Sequence, residues 1–142
     1  MTITNTASAR YDGLGRKGRG RVTTKSGGLD QPYGFAARFE GEAGTNPEEL
    51  IAAAHASCFT MALAMQLANA GHEDGTLEVT AAVALEKQGD GYAITRSDLQ
   101  LEGQVPGMDA AQFEELANKA KEGCPVSKLL KAEITLTTRF DG

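Results

Sequence analysis

Residues 44–65 read GTNPEELIAAAHASCFTMALAM, and the fold turns on what this stretch becomes. Its start is written like a helix N-terminus. Asn46 is a capping residue and Pro47 fits the first helical position. Glu49, three residues after the cap, completes a capping-box pattern. The apolar run continues to about Ala70 and stops at Gly71, which suits the left-handed position after a helix. A helix of that length is about 36 Å long at the standard rise. From Leu50 to Leu67 it carries almost no polar stripe. A helix apolar all round must be covered all round, and one sheet covers only one side. With five Phe, three Tyr and no Trp to supply bulk, the expected cover is a second copy of the same helix. The sequence therefore predicts a homodimer.

Strands are predicted on both sides of this helix. Polar and apolar residues alternate near residues 3–11, 18–26 and 32–40, with Gly-rich breaks at 13–20 and at Ser26-Gly27-Gly28. In the third of these, Phe35, Ala37 and Phe39 would share one face, Arg38 and Glu40 the other. After the helix, residues 77–87 place Leu77, Val79, Ala81, Val83 and Leu85 on one face. Gln88-Gly89-Asp90-Gly91 reads as a hairpin turn, and residues 92–105 return as a second long strand. Pro106-Gly107 ends it. Asp109 with Gln112 caps an amphipathic helix through Phe113, Leu116, Ala117 and Ala120, ending near Gly123. Cys124-Pro125 opens a short helical turn to Lys131, and residues 133–140 form a closing strand. The order is β-β-β-α-β-β-α-β in an α+β fold.

The 142 residues are expected to form a single domain, residues 1–142, large enough for a core. Fourteen basic against nineteen acidic side chains leave a net charge of −5, which argues against a nucleic-acid or anionic-membrane surface. The basic run Gly15 to Arg21 reads as a glycine-rich hairpin with exposed cations. The opening MTITNTASARYDG has no charged n-region and no apolar h-region, and the long helix carries Glu48, Glu49, His55 and Gln66, so neither reads as a signal or spanning segment. A cytoplasmic protein is expected, in which thiols stay reduced.

That compartment makes the two cysteines interesting as chemistry. Cys58, amid Ala, Leu and Phe, has a simple reading as a small core hydrophobe whose pKa burial would raise; to react it needs a cation nearby. Cys124 precedes Pro125 at a helix start, where backbone N–H groups favour a thiolate, although it can equally be a plain cap. His55 lies three residues before Cys58 on one helical face, which permits a Cys–His pair or a hydrogen bond to a neighbouring strand or subunit. A zinc site would have to assemble Cys58, Cys124, His55 and a carboxylate from distant segments. A non-enzymatic dimer binding an apolar ligand also fits these residues. The sequence has no glycine-rich phosphate loop, nucleophile elbow or supported carboxylate dyad.

Beside these alternatives stands a resemblance carried by three separated motifs. Gly44-Thr45-Asn46-Pro47-Glu48-Glu49-Leu50, Ala53-Ala54-His55-Ala56-Ser57-Cys58-Phe59 and Glu122-Gly123-Cys124-Pro125-Val126-Ser127 resemble the OsmC/Ohr family, the osmotically inducible protein C and organic hydroperoxide reductases. The segment Pro32 to Glu42 resembles the OsmC branch, which carries its arginine here; the Ohr branch has it earlier in the chain. The resemblance covers essentially the whole chain. It implies a thiol-dependent peroxidase acting on organic hydroperoxides and more weakly on hydrogen peroxide, in oxidative or osmotic stress defence. It also implies antiparallel sheets packed on a long central helix, in an intertwined homodimer with two sites at the subunit interface. Cys58 matches the peroxidatic cysteine and Cys124 the resolving one, joined as a disulfide that an external dithiol reduces. Arg38 and Glu48 match the pair that supports the thiolate. Neither cofactor nor metal is implied.

The implied roles suit the residue types. A guanidinium lowers a thiol pKa and donates to the departing oxygen in the transition state, and a carboxylate can hold its fork by bidentate contact. Apolar walls around Cys58 would suit alkyl and fatty-acid hydroperoxides.

Overall fold

The computed structural model describes all 142 residues. Strands β1 (Ala7–Asp12), β2 (Arg19–Thr24) and β3 (Asp30–Tyr33) precede helices α1 (Phe35–Phe39) and α2 (Pro47–Asn69). Strands β4 (Thr76–Gln88) and β5 (Gly91–Gln104), helices α3 (Ala110–Gly123) and α4 (Pro125–Leu129), and strand β6 (Glu133–Asp141) follow. The chain divides into two compact units, Met1–Leu50 and Ile51–Gly142.

The first unit is a three-stranded antiparallel sheet in the order β1-β2-β3. Its residues are mostly exposed, and none of the chain's buried apolar residues belongs to it. The strand expected over residues 32–40 stops at Tyr33, and residues 35–39 are helical instead. The alternation that suggested a strand also places Phe35 and Phe39 four apart. On a helix those rings meet, and here their centroids are 4.7 Å apart. Ala36 and Ala37 between them favour the same outcome.

Helix α2 starts and stops as its sequence dictates. Asn46 Oδ1 accepts from the Glu49 backbone N–H at 2.8 Å. The Glu49 carboxylate accepts from the Thr45 hydroxyl at 2.9 Å, in place of the reciprocal capping-box bond. At the far end Gly71, at φ 94°, donates to the Ala68 carbonyl, and the His72 N–H reaches Leu67. That bond pair, closed by a residue in the left-handed region, is a Schellman C-cap. By length and composition α2 is apolar enough to cross a membrane, with a mean hydropathy of 1.5.

In the second unit the sheet order is β4-β5-β6. β4 and β5 form a long hairpin about the two-residue turn Gly89-Asp90, antiparallel from Thr76↔Gln104 to Gln88↔Gly91. β6 lies parallel to β5, so the second sheet is mixed and not antiparallel throughout as expected. The connection explains it. α3 and α4 intervene between β5 and β6, and such a crossover returns the chain in the same direction. On the inner face of β5, Ser97, Leu99, Leu101 and Gly103 alternate inward, and all are buried. Phe59, Leu63 and Leu67 of α2, Leu99 and Leu101 of β5, and Phe113, Ala117 and Ala120 of α3 form one buried cluster. Gly103 is fixed by that packing: a Cβ there would lie 2.3 Å from Phe113 Cζ. The Phe113 ring stacks in turn on Phe140, with centroids 4.3 Å apart.

The side of α2 that joins the core carries His55, Phe59, Leu63 and Leu67 at four-residue spacing. Ala53, Ala54, Ser57, Met61, Ala64 and Met65 are exposed. Met61 retains 70% of its accessible surface and Met65 62%. Within one chain, therefore, this apolar helix is covered on one side only.

Candidate active site

The four residues expected in the site fall into two pairs, one in each unit. In the first, Arg38 ends the single turn of α1 and Glu48 sits in the first turn of α2. Arg38 Nε and Nη2 both donate to Glu48 Oε1, at 2.8 and 2.5 Å. This departs from the expected bidentate fork, because one oxygen takes both bonds. Glu48 Oε2 is buried with no partner. The Arg38 guanidinium also lies 5.4 Å from the Phe39 ring centroid.

In the second unit Cys58, in the middle of α2, meets Cys124, which is both the C-cap of α3 and the N-cap of α4. Cys124 is fully buried and Cys58 partly so; both thiols are free. Burial pushes the Cys58 thiol up from its ordinary value. The Val126 backbone pulls it down, and the hydrogen bond and charge of Cys124 push it up again. Of the two readings open for Cys124, the geometry shows the cap. Its sulfur caps α4, accepting from the Ser127 backbone N–H at 3.3 Å, and it faces the second thiol.

His55 is fully buried. Its Nδ1 is 2.6 Å from Ser97 Oγ on β5 and its Nε2 is 2.8 Å from Ser127 Oγ. Ser127 Oγ is in turn 3.1 Å from Cys124 Sγ. Both ring nitrogens are thus engaged by hydroxyls, and no group of three or more His, Cys, Asp or Glu side chains could hold a metal. Burial lowers the His55 pKa from its ordinary 6.5. The expected hydrogen bond to a neighbouring strand is the one to Ser97. Sequence reasoning passed over Ser97 and Ser127 as participants. The signal for Ser97 was its register, since it shares the inward face of β5 with Leu99 and Leu101, and a hydroxyl there must find a partner.

One thiol is carried by the long apolar helix α2 and its neighbour by the junction of α3 and α4. A family model described as OsmC-like protein matches residues 39–139. The chain is 54% identical over 137 residues to peroxiredoxin OsmC of Escherichia coli (strain K12), spanning 96% of each. It is 33% identical over 135 residues to the organic hydroperoxide resistance protein of Xanthomonas axonopodis pv. citri (strain 306), covering 93% of this chain and 91% of that one. Among solved structures, the organic hydroperoxide resistance protein OhrB of Bacillus subtilis superposes with a TM-score of 0.70 at 31% identity over 98% of both chains. The chain belongs to the OsmC-like family.

Proposed function

We propose that this chain is a thiol-dependent peroxidase that reduces organic hydroperoxides, and hydrogen peroxide more weakly, in a stress-defence role in the cytoplasm. The observation that carries it is the meeting of Cys58 and Cys124, 66 residues apart in sequence, in one buried cluster. Relatives named peroxiredoxin OsmC and organic hydroperoxide resistance protein support the same chemistry.

In the first step the Cys58 thiolate attacks the outer oxygen of R–O–OH. The S–O bond forms, the O–O bond breaks, and the alkoxide leaves as ROH after taking a proton. Cys58 is then a sulfenic acid. In the second step Cys124 condenses with it, releasing water and leaving a Cys58–Cys124 disulfide. An external dithiol restores both thiols by exchange. Burial alone makes Cys58 a poor nucleophile, so the first step needs a cation, and Arg38 held by Glu48 is the group assigned to it. No cofactor takes part.

The two pairs are brought together across a homodimer in this reading, with all 142 residues acting as one peroxidase domain. α2 runs unbroken from Pro47 to Asn69, so Glu48 and Cys58 are separated by about 15 Å along its axis and about 80° around it. No fold-back of the helix closes that gap. A second chain supplies what one chain lacks. The exposed face with Met61 and Met65 is covered, and the coreless first unit gains an apolar surface to lie on. A two-fold axis then yields two identical composite sites.

Titration of free thiols tests the chemistry. One equivalent of an aryl hydroperoxide should remove both thiols as an intramolecular disulfide, faster than hydrogen peroxide does. Retention of both thiols would leave the apolar-ligand module as the better reading.

A further inference from the structure

The peroxide chemistry uses the two sulfurs and the Arg38–Glu48 pair, and leaves unexplained why a histidine is wholly buried between two serines. A buried imidazole needs a partner at each nitrogen, and hydroxyls on two different elements supply them. Here the bonds run in one line, from Ser97 Oγ to His55 Nδ1, from His55 Nε2 to Ser127 Oγ, and from Ser127 Oγ to Cys124 Sγ, at 2.6, 2.8 and 3.1 Å. The line ends on one sulfur, which already accepts the Ser127 backbone N–H.

We propose that Ser97, His55 and Ser127 form a donor relay that positions Cys124 and stabilises the thiolate developing on it as it attacks oxidised Cys58. His55 and Ser127 are thus positioning residues for disulfide formation. The inference rests on the peroxidase reading and deepens its second step.

The proton directions follow from the ends of the relay. Ser127 N–H makes Cys124 Sγ an acceptor, so the Ser127 hydroxyl completes the set by donating to the same sulfur. Ser127 Oγ then accepts from His55 Nε2–H, and Nδ1 accepts from the Ser97 hydroxyl. Only a neutral imidazole can donate at one nitrogen and accept at the other. Burial favours that form by lowering the His55 pKa. In the reaction the Cys124 S–Cys58 S bond forms while the Cys58 S–O bond breaks. The proton leaving Cys124 Sγ joins the departing hydroxide, and water is released. The Cys124 sulfur is oxidised and the Cys58 sulfur reduced, with no outside reagent. The relay gives up no proton; its two donors carry the negative charge on Sγ while the proton departs.

The titratable groups that face Cys124 are Cys58 and, through Ser127, His55, both on α2. β5 contributes Ser97 and Leu99 to the same buried surroundings and α3 contributes Ala120.

The test is a single turnover of the reduced, full-length protein with one equivalent of cumene hydroperoxide. Sulfenic acid is trapped by a dione, and disulfide is counted by mass spectrometry over time. In Ser127→Ala and His55→Gln the rate of disulfide formation, relative to that of peroxide consumption, should fall at least about tenfold, as when one preorganised donor is lost. Sulfenic acid should accumulate. Ser127→Thr, which restores a hydroxyl, should recover most of the ratio. An unchanged ratio in Ser127→Ala overturns the relay, and this small truncation carries the test if His55→Gln fails to fold. Failure of the peroxidase reading looks different: the unaltered protein itself would form no disulfide.

Discussion

The two units of this chain differ in what holds them together. Ile51–Gly142 has a continuous core in which Phe59, Leu99, Leu101 and Phe113 are each at most 1% exposed. Met1–Leu50 has no buried apolar residue. It is held by sheet hydrogen bonds, ring contacts such as Tyr11–Tyr33, the partly buried Arg38–Glu48 pair, and exposed ion pairs such as Arg10–Asp12 and Arg21–Asp30. Pairs of that kind contribute little in water. The thiols sit in the unit with the core, and the charged pair assigned to activate them sits in the unit without one. Sulfur chemistry needs two atoms held at a fixed approach, which close packing supplies.

The largest effect that follows is on turnover. Cys58→Ser should abolish peroxide reduction. Cys124→Ser should consume one equivalent and stall as a sulfenic acid that over-oxidises with excess peroxide. Loss of the first turnover in both variants would remove the distinction between the sulfurs.

Stability should divide along the same boundary. Phe113→Ala empties a site packed against Gly103 and Phe140, and should cost about 3–5 kcal/mol in denaturant unfolding. Arg21→Ala, which removes an ion pair to Asp30 whose partners are 57% and 59% exposed, should cost less than about 1 kcal/mol. Equal costs would show that the first unit is stabilised by more than its exposed pairs.

Arg38→Lys keeps the charge and loses the planar fork that places two N–H groups on Glu48 Oε1. The expected loss in kcat/KM is at least about tenfold, or about 1.4 kcal/mol of transition-state stabilisation. Unchanged kcat/KM would take Arg38 out of the site.

The smallest effect is on pH-dependent stability. His55 has a folded-state pKa below its ordinary 6.5, so in acid the unfolded chain takes up a proton there before the folded protein does. The stabilisation from neutral His55 is fully present above about 6.5 and is lost as pH falls below it, with a slope of at most about 1.4 kcal/mol per pH unit. Urea unfolding of the unaltered protein should show this decline, and His55→Gln should lack that part of it. Identical slopes would place the acid sensitivity elsewhere.

What the sequence made legible was whatever local chemistry decides. Asn46-Pro47 and Gly71 mark both ends of α2, and Gly89-Asp90 marks the long hairpin, because caps and turns act over a few residues. The same locality misled at Phe35 to Phe39, where an alternation compatible with a strand is also a helical i,i+4 aromatic pair. The direction of β6 was hidden because nothing within a strand records its partner's direction; the two intervening helices set it. In the site, the cysteines and the Arg38–Glu48 pair stood in recognisable motifs. Ser97 did not, because its role depends on which helix covers the inner face of β5.

The central claim is that the sulfurs of one chain work with the charged pair of another. Mixed dimers test it most directly. Glu48→Ala chains are combined with Cys58→Ser chains, the heterodimers are isolated by distinct tags, and hydroperoxide turnover is measured. Across the dimer, one of the two sites keeps Glu48 and Cys58 both intact, so each heterodimer should recover about half the activity of the unaltered dimer. Heterodimers as inactive as either parent variant would contradict the account, because every site within a chain would then carry a lesion.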